Sequence, residues 1–121
     1  MKSLFSAVMS IYVLKVAAAP WALRLVDPAS GGLCLDGTPS GFWIRNGSGA
    51  DARNYIIHLQ GGGWCTSLSD CLARSKSTLG SSSQWPSQPQ YASADGGEHG
   101  MISPDPSVNS LFANWTIVFA G

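Results

Sequence analysis

An α/β fold is the class this sequence predicts, and three observations predict it. Two runs of β-branched and aromatic residues, Tyr55-Ile56-Ile57-His58-Leu59 and Thr116-Ile117-Val118-Phe119-Ala120, read as strands buried on both faces. Between them lie a glycine turn, a helical pattern, a long polar loop and a second short helical pattern, the order expected of a crossover between sheet strands. Ahead of them, short apolar runs separated by turn residues read as an antiparallel meander. Two core strands cannot cover themselves, so the sheet predicted is incomplete, the N-terminal portion only of a larger one.

The first 19 residues stand apart from that fold. Lys2 opens an apolar stretch over residues 4–14, and Ala17-Ala18-Ala19 offers the small residues a signal peptidase needs, although Pro20 is a poor first mature residue. The apolar run is too short to span a bilayer and Lys15 interrupts it, so a secretory signal over residues 1–19 is expected, with no membrane association of the mature chain. Residues 21–26 form the first expected strand. Asp27-Pro28-Ala29-Ser30-Gly31-Gly32 follows as a turn, and Leu33-Cys34-Leu35 is a short apolar run before a second turn, Asp36-Gly37-Thr38-Pro39. Phe42-Trp43-Ile44-Arg45 is the second strand and residues 46–51 a polar loop. After the strand over 55–59, Thr66 or Ser67 is placed to cap a helix over 68–77, with Leu68, Leu72 and Leu79 along its buried side and Arg74 and Lys76 exposed. Residues 81–99, rich in Ser, Gln, Pro and Gly, read as an irregular surface loop. Pro104-Asp105-Pro106 is suited to start a short helix through Phe112, because proline is tolerated in a first turn. Asn114 precedes the final strand, where burial is expected.

Composition narrows the function classes. A formal net charge of zero lacks the basic surplus of a nucleic-acid binder, and 45% hydrophobic residues argue against a disordered segment. Fourteen glycines and five tryptophans in 121 residues suggest a loop-rich site more than a helical bundle. Only two histidines, His58 and His99, are present, and no spacing fits a metal site. In an oxidising compartment thiols pair. Cys65 and Cys71 enclose a short loop and bridge if their side chains converge, which leaves Cys34 without a partner in this chain. A free thiol, an intermolecular bond and a partner outside the chain all account for Cys34, and the last is preferred. Asn46-Gly47-Ser48 and Asn114-Trp115-Thr116 both fit the N-glycosylation pattern, and Asn46, in a turn-like Gly/Ser stretch, is the better acceptor.

The chemistry concentrates in His58-Leu59-Gln60-Gly61-Gly62-Gly63-Trp64-Cys65. Three glycines at the end of a strand are costly in backbone entropy, and close approach of the main chain to a ligand is a physical reason to keep them. Peptide N–H groups there can point at one spot with no Cβ in the way. Acyl-transfer enzymes need such donors, because the tetrahedral intermediate places negative charge on the former carbonyl oxygen, and each lost donor costs on the order of 3 kcal/mol. A phosphate cradle is disfavoured: neither G-x-x-x-x-G-K-[ST] nor G-x-G-x-x-G occurs, and no cofactor is implied. A plain tight turn is the simplest alternative for a lone glycine triplet.

The neighbouring blocks decide. Cys34-Leu35-Asp36-Gly37-Thr38-Pro39 resembles the opening Cys-Leu-Asp-Gly-Ser/Thr-Pro block of plant-type pectin acetylesterases, and His58 to Cys65 resembles the family's His-Leu-Glu-Gly-Gly-Gly-Trp-Cys. Cys71-Leu72-Ala73-Arg74, Leu79-Gly80-Ser81-Ser82 and Asn114-Trp115 follow in the same order, so the likeness to the pectin acetylesterase/Notum family runs from about Leu33 to Gly121. The resemblance implies an α/β-hydrolase-like fold, residues 20–121 being its N-terminal part, and a serine nucleophile in a G-x-S-x-G turn with Asp and His downstream. It implies that the amides of Gly62 and Gly63 are oxyanion donors and that Trp64 lines the acyl pocket. It implies a Cys65–Cys71 disulfide, a partner for Cys34 beyond Gly121, a secreted cell-wall location and acetylated pectin or a related ester as substrate. Gln60 replaces the family's usual Glu, keeping shape and losing charge. No G-x-S-x-G occurs in these residues, and Ser81, Ser82 and Ser83 lack the strand–turn–helix context of a nucleophile, so the chain is not expected to catalyse alone. His58 is expected in the core or behind the site. The competing class is a non-enzymatic secreted glycan-binding module, with Trp85 as its sugar-stacking candidate.

Overall fold

A computed structural model describes residues 19–89 and 100–121; the expected signal segment through residue 18, the loop over residues 90–98, and His99 lie outside the described residues. Four strands form one mixed sheet: β1 (Ala22–Leu25), β2 (Gly41–Arg45), β3 (Tyr55–Leu59) and β4 (Thr116–Ala120), in the spatial order β1-β2-β4-β3. β1 and β2 are antiparallel, in register from Ala22↔Ile44 to Leu25↔Gly41, which is the expected meander. β2 and β4 are also antiparallel, with Trp43 opposite Phe119 and Arg45 opposite Ile117. β3 and β4 run parallel from Tyr55↔Thr116 to Leu59↔Ala120, as an α/β crossover requires. The single α-helix among the described residues, α1 (Leu68–Arg74), lies in that crossover. The result is the partial α/β sheet the sequence predicts.

The core sits on the β2–β4 pair. Trp43, Ile117 and Phe119 are buried, and Trp85 packs on Trp43 with ring centroids 4.8 Å apart. Both indole N–H groups are satisfied at 2.9 Å, Trp43 Nε1 by the Pro86 carbonyl and Trp85 Nε1 by the Thr78 carbonyl. Buried indoles need such partners. The first part of the expected surface loop is therefore packing material: Ser81, Ser82 and Pro89 are buried and Trp85 is half-buried. Arg45 is buried too, with Nη2 donating to the Ile102 carbonyl at 2.6 Å and the guanidinium 5.1 Å from the Trp21 ring centroid.

Several expectations are corrected. β3 is an edge strand exposed on both faces, with Tyr55, Ile57 and Leu59 exposed and only Ile56 half-buried. Its continuous hydrophobicity suits cover on two sides, but the described elements give it one neighbour, β4, and nothing above or below. His58 is accordingly exposed and stacks on Phe119 at 4.7 Å instead of entering a core. Leu68, Leu72 and Leu79 are exposed, so α1 has no buried leucine stripe. The helix also stops at Arg74, because the Ser77 amide and hydroxyl both take the Arg74 carbonyl, at 2.9 and 2.8 Å. Residues 104–112 form turns in place of a helix. The Asp105 side chain takes the Ser107 amide and the Asn109 side chain takes the Phe112 amide, so side chains compete with the helical ladder. Asn114 is exposed, its Oδ1 accepting from Ser48 Oγ at 2.9 Å.

Candidate functional site

The site is built where β3 leaves the sheet. Gln60 N donates to the Ala120 carbonyl at 2.9 Å, the last bond of the parallel ladder. Beyond it Gly61-Gly62-Gly63-Trp64 runs over the surface and lines a cleft of about 310 Å³ shared with Arg74, Thr78 and Leu79. Gly63 adopts φ +70°, the left-handed region in which a side chain is strained, so glycine is required there. A Cβ at Gly62 would meet Leu79 Cδ2 at 3.2 Å, which ties the second glycine to close approach.

Two local devices then return the chain to this loop. Ser67 caps α1, its Oγ accepting from Asp70 N at 3.1 Å, while Asp70 Oδ2 accepts from Thr66 N at 2.9 Å. The return bond reaches one residue beyond the N-cap N–H that a capping box would use, so Asp70 fixes the entry of the chain into α1 at Thr66. Cys65 and Cys71 form a disulfide with Cα atoms 5.0 Å apart, joining the end of the glycine loop to the middle of α1. Arg74 lies three residues after Cys71 on the same helix face. Its Nη1 donates back to the Gly62 carbonyl at 2.9 Å and reaches the Gly63 carbonyl at 3.4 Å.

This arrangement orients the loop. All described peptide bonds are trans, so each N–H points opposite the carbonyl of its own peptide unit. The carbonyls turned to Arg74 belong to the units whose N–H groups are those of Gly63 and Trp64. Those two amides therefore face away from Arg74, and no hydrogen bond within the described residues occupies them. Chemically, the loop is a set of open backbone donors beside an exposed aromatic ring, with a cation behind its carbonyls.

The other candidate residues fall elsewhere. Trp64 lines the cleft and is 91% exposed, whereas the other four tryptophans are buried or half-buried. Trp85, placed on the surface by sequence reasoning, is half-buried and packs on Trp43, so Trp64 is the indole left most open. Cys34 is a free, half-buried thiol whose Sγ lies 3.7 Å from the Pro39 carbonyl. Asn46 is exposed at the end of β2, remote in the sheet from the glycine loop. Ser81 and Ser82 are buried beside the 34–40 turn, Ser82 N donating to Thr38 Oγ1 at 3.0 Å. In that turn the Ser81 hydroxyl, and then the Thr38 hydroxyl and amide, hold the Asp36 carboxyl below its usual value of 3.8. Among the described residues no group of three or more His, Cys, Asp or Glu side chains is gathered to hold a metal, and no helix is long and apolar enough to cross a membrane. Sequence reasoning missed Arg74, which it left exposed in solvent. The available signal was its spacing: a bridge between Cys65 and Cys71 folds α1 back on the loop, and a residue three positions after Cys71 then faces the glycines.

Comparison with known proteins follows the same segment. A family model described as pectinacetylesterase matches residues 14–120. Pectin acetylesterase 5 of Arabidopsis thaliana is 38% identical over 96 residues, covering 79% of this chain and 21% of the relative. Pectin acetylesterase 11 of the same plant is 30% identical over 117 residues, covering 95% of this chain and 28% of the relative. The inactive palmitoleoyl-protein carboxylesterase notum1b of Danio rerio is 36% identical over 88 residues, covering 71% of this chain and 57% of the relative. Among solved structures, the Wnt deacylase Notum from Drosophila superposes with a TM-score of 0.66 at 25% identity, over 84% of this chain and 28% of the other. The chain thus spans between a fifth and three tenths of the plant relatives named here.

Proposed function

The chain belongs to the pectinacetylesterase family, and from that premise we propose that it is the N-terminal part of a secreted carboxylic ester hydrolase that removes acetyl groups from pectin or a related cell-wall polysaccharide. In this reading residues 1–19 are a cleaved signal segment, Asn46 carries a glycan, and Cys34 pairs with a cysteine outside the chain. The share of the reaction carried here is the oxyanion loop. Backbone amides of the loop, Gly62 and Gly63 by family correspondence and Gly63 and Trp64 by peptide orientation, receive the charge that an ester carbonyl acquires on attack. Trp64 forms one flank of the acyl pocket. A serine nucleophile, with its base, comes from outside these residues.

The observation that carries this reading is the pair of N–H groups after β3, those of Gly63 and Trp64, that take no partner among the described residues, with the carbonyls of their peptide units turned to Arg74. The test has two parts. The 121-residue chain should show no serine-dependent turnover of p-nitrophenyl acetate. The transcript beyond Gly121 should encode a G-x-S-x-G segment, and that longer product should release acetate from acetylated pectin until the serine is changed to alanine. Turnover by the short chain, or a longer product inert on every acetyl ester, would defeat the reading.

Two observations favour a second reading. Trp64 offers an open indole face, and the Danio rerio relative is described as inactive. A non-catalytic glycan-binding module would hold acetylated pectin without cleaving it and lose retention on Trp64→Ala.

A further inference from the structure

We propose that Arg74 is a positioning residue that sets the direction of the oxyanion-loop amides by holding the carbonyls of Gly62 and Gly63 from behind. The proposal rests on the oxyanion reading of the loop and adds the device that orients it. A run of three glycines has no side chain to fix its peptide planes and samples many of them. Arg74 removes that freedom at two successive units with one nitrogen, at 2.9 and 3.4 Å. Because the described peptides are trans, drawing two carbonyls to one side turns the Gly63 and Trp64 N–H groups to the other. A cation on a carbonyl oxygen also polarises the peptide unit, making its N–H a stronger donor at the far end.

Arg74 is itself held. Its carbonyl takes the Ser77 amide and hydroxyl. A Cβ at Gly80 would lie 2.6 Å from that carbonyl oxygen, so Gly80 packs against it at backbone contact distance. The Cys65–Cys71 bridge pins the preceding turn of α1 to the loop that Arg74 grips. The main chain at Arg74 is thus anchored from two directions, which fixes the base from which the side chain reaches the glycines.

The experiment uses the 121-residue chain labelled with 15N, with methylphosphonate, a tetrahedral anion, as the probe. In the unmodified chain the Gly63 and Trp64 amide signals should shift saturably on titration. Because both contacts come from one nitrogen, Arg74→Lys should keep the response within about threefold. Arg74→Met should displace the Gly63 and Trp64 signals before any anion is added and weaken binding by about tenfold or more, as loss of a charge-assisted hydrogen bond implies, with the β2 and β4 amides unmoved. If Arg74→Met fails to fold, Arg74→Gln carries the same comparison. Normal apo signals with weakened binding would make Arg74 an anion ligand and overturn the positioning role. Unchanged signals with unchanged binding would overturn it while leaving the oxyanion loop standing. No response at either amide in the unmodified chain would overturn the loop reading itself.

Discussion

β3 and β4 are near twins in composition and opposites in environment. Tyr55-Ile56-Ile57-His58-Leu59 and Thr116-Ile117-Val118-Phe119-Ala120 are both short, apolar and β-branched, and they pair residue for residue. Yet in β4 Ile117 is 0% and Phe119 2% exposed, whereas in β3 Ile57 is 69% and Leu59 73% exposed and Ile56, the register partner of Ile117, is only half-buried. The cause is order in the sheet. β4 lies between β2 and β3, its Phe119 packs edge-on against Trp43 of β2, and Trp85 packs on that Trp43, whereas β3 has a neighbour on one side. An apolar run therefore states what a strand can bury, and its neighbours decide what it does bury. The glycine loop inherits both conditions: its first residue is held by β4 through the Gln60–Ala120 bond, and its last is held by the disulfide and Arg74.

The sharpest way to break the comparison is one substitution placed in both strands. Ile117→Lys should unfold the chain, at a cost of about 4 kcal/mol or more, because it buries an unpaired charge. Ile57→Lys should stay within about 0.5 kcal/mol in urea unfolding and raise the monomer fraction on gel filtration, since a lysine on an edge strand opposes edge-to-edge pairing. Equal losses in the two variants would mean that β3 is as buried in solution as β4. Next in size is the loop's tether. Replacing Cys65 and Cys71 by serine should lower stability by roughly 2 kcal/mol, the chain-entropy expectation for so short a loop, with amide signals disturbed at Gly63 and Trp64 but not in β2. Ser67→Ala removes the cap of α1 and should cost about 1 kcal/mol, visible as reduced helicity with an intact sheet. The smallest effect concerns the Asp36 turn, whose Asp36 N donates to the Gly80 carbonyl at 3.2 Å. Its folded carboxyl is depressed by the Ser81 hydroxyl and then by Thr38, so the stabilisation is present above the unfolded pKa and is lost as pH falls through the lower folded value. An NMR titration of Asp36 should place its midpoint below 3.8, and Ser81→Ala should move it back toward that value.

Much of the fold was legible. β3 and β4 occupy the residues their patterns mark, and β1 and β2 differ from expectation by a residue or two at their ends. Ser67 caps α1 as one of the two named candidates. The turn region over 104–112 was misread because a proline start suits a helix, while Asp105 and Asn109 offer their own side chains to nearby amides. At the site, the glycines could be found because their position after a strand is a local feature. Arg74 could not be placed by propensity, since its partners lie 11 and 12 residues back along the chain. Trp85 was misplaced for a similar reason: its polar surroundings in sequence say nothing of Trp43, 42 residues earlier, on which it packs.

By itself, then, the sequence determined the strands, the glycine turn that must follow β3, the helix cap and the family to which these blocks belong. Each depends on backbone preference or side-chain periodicity acting over a few residues. Only the tertiary structure decided which apolar strand became the centre, which tryptophan stayed open and which way the glycine peptides turned. Those outcomes depend on the order of strands in space and on one guanidinium brought back by a disulfide-linked helix, and local sequence carries no measure of either.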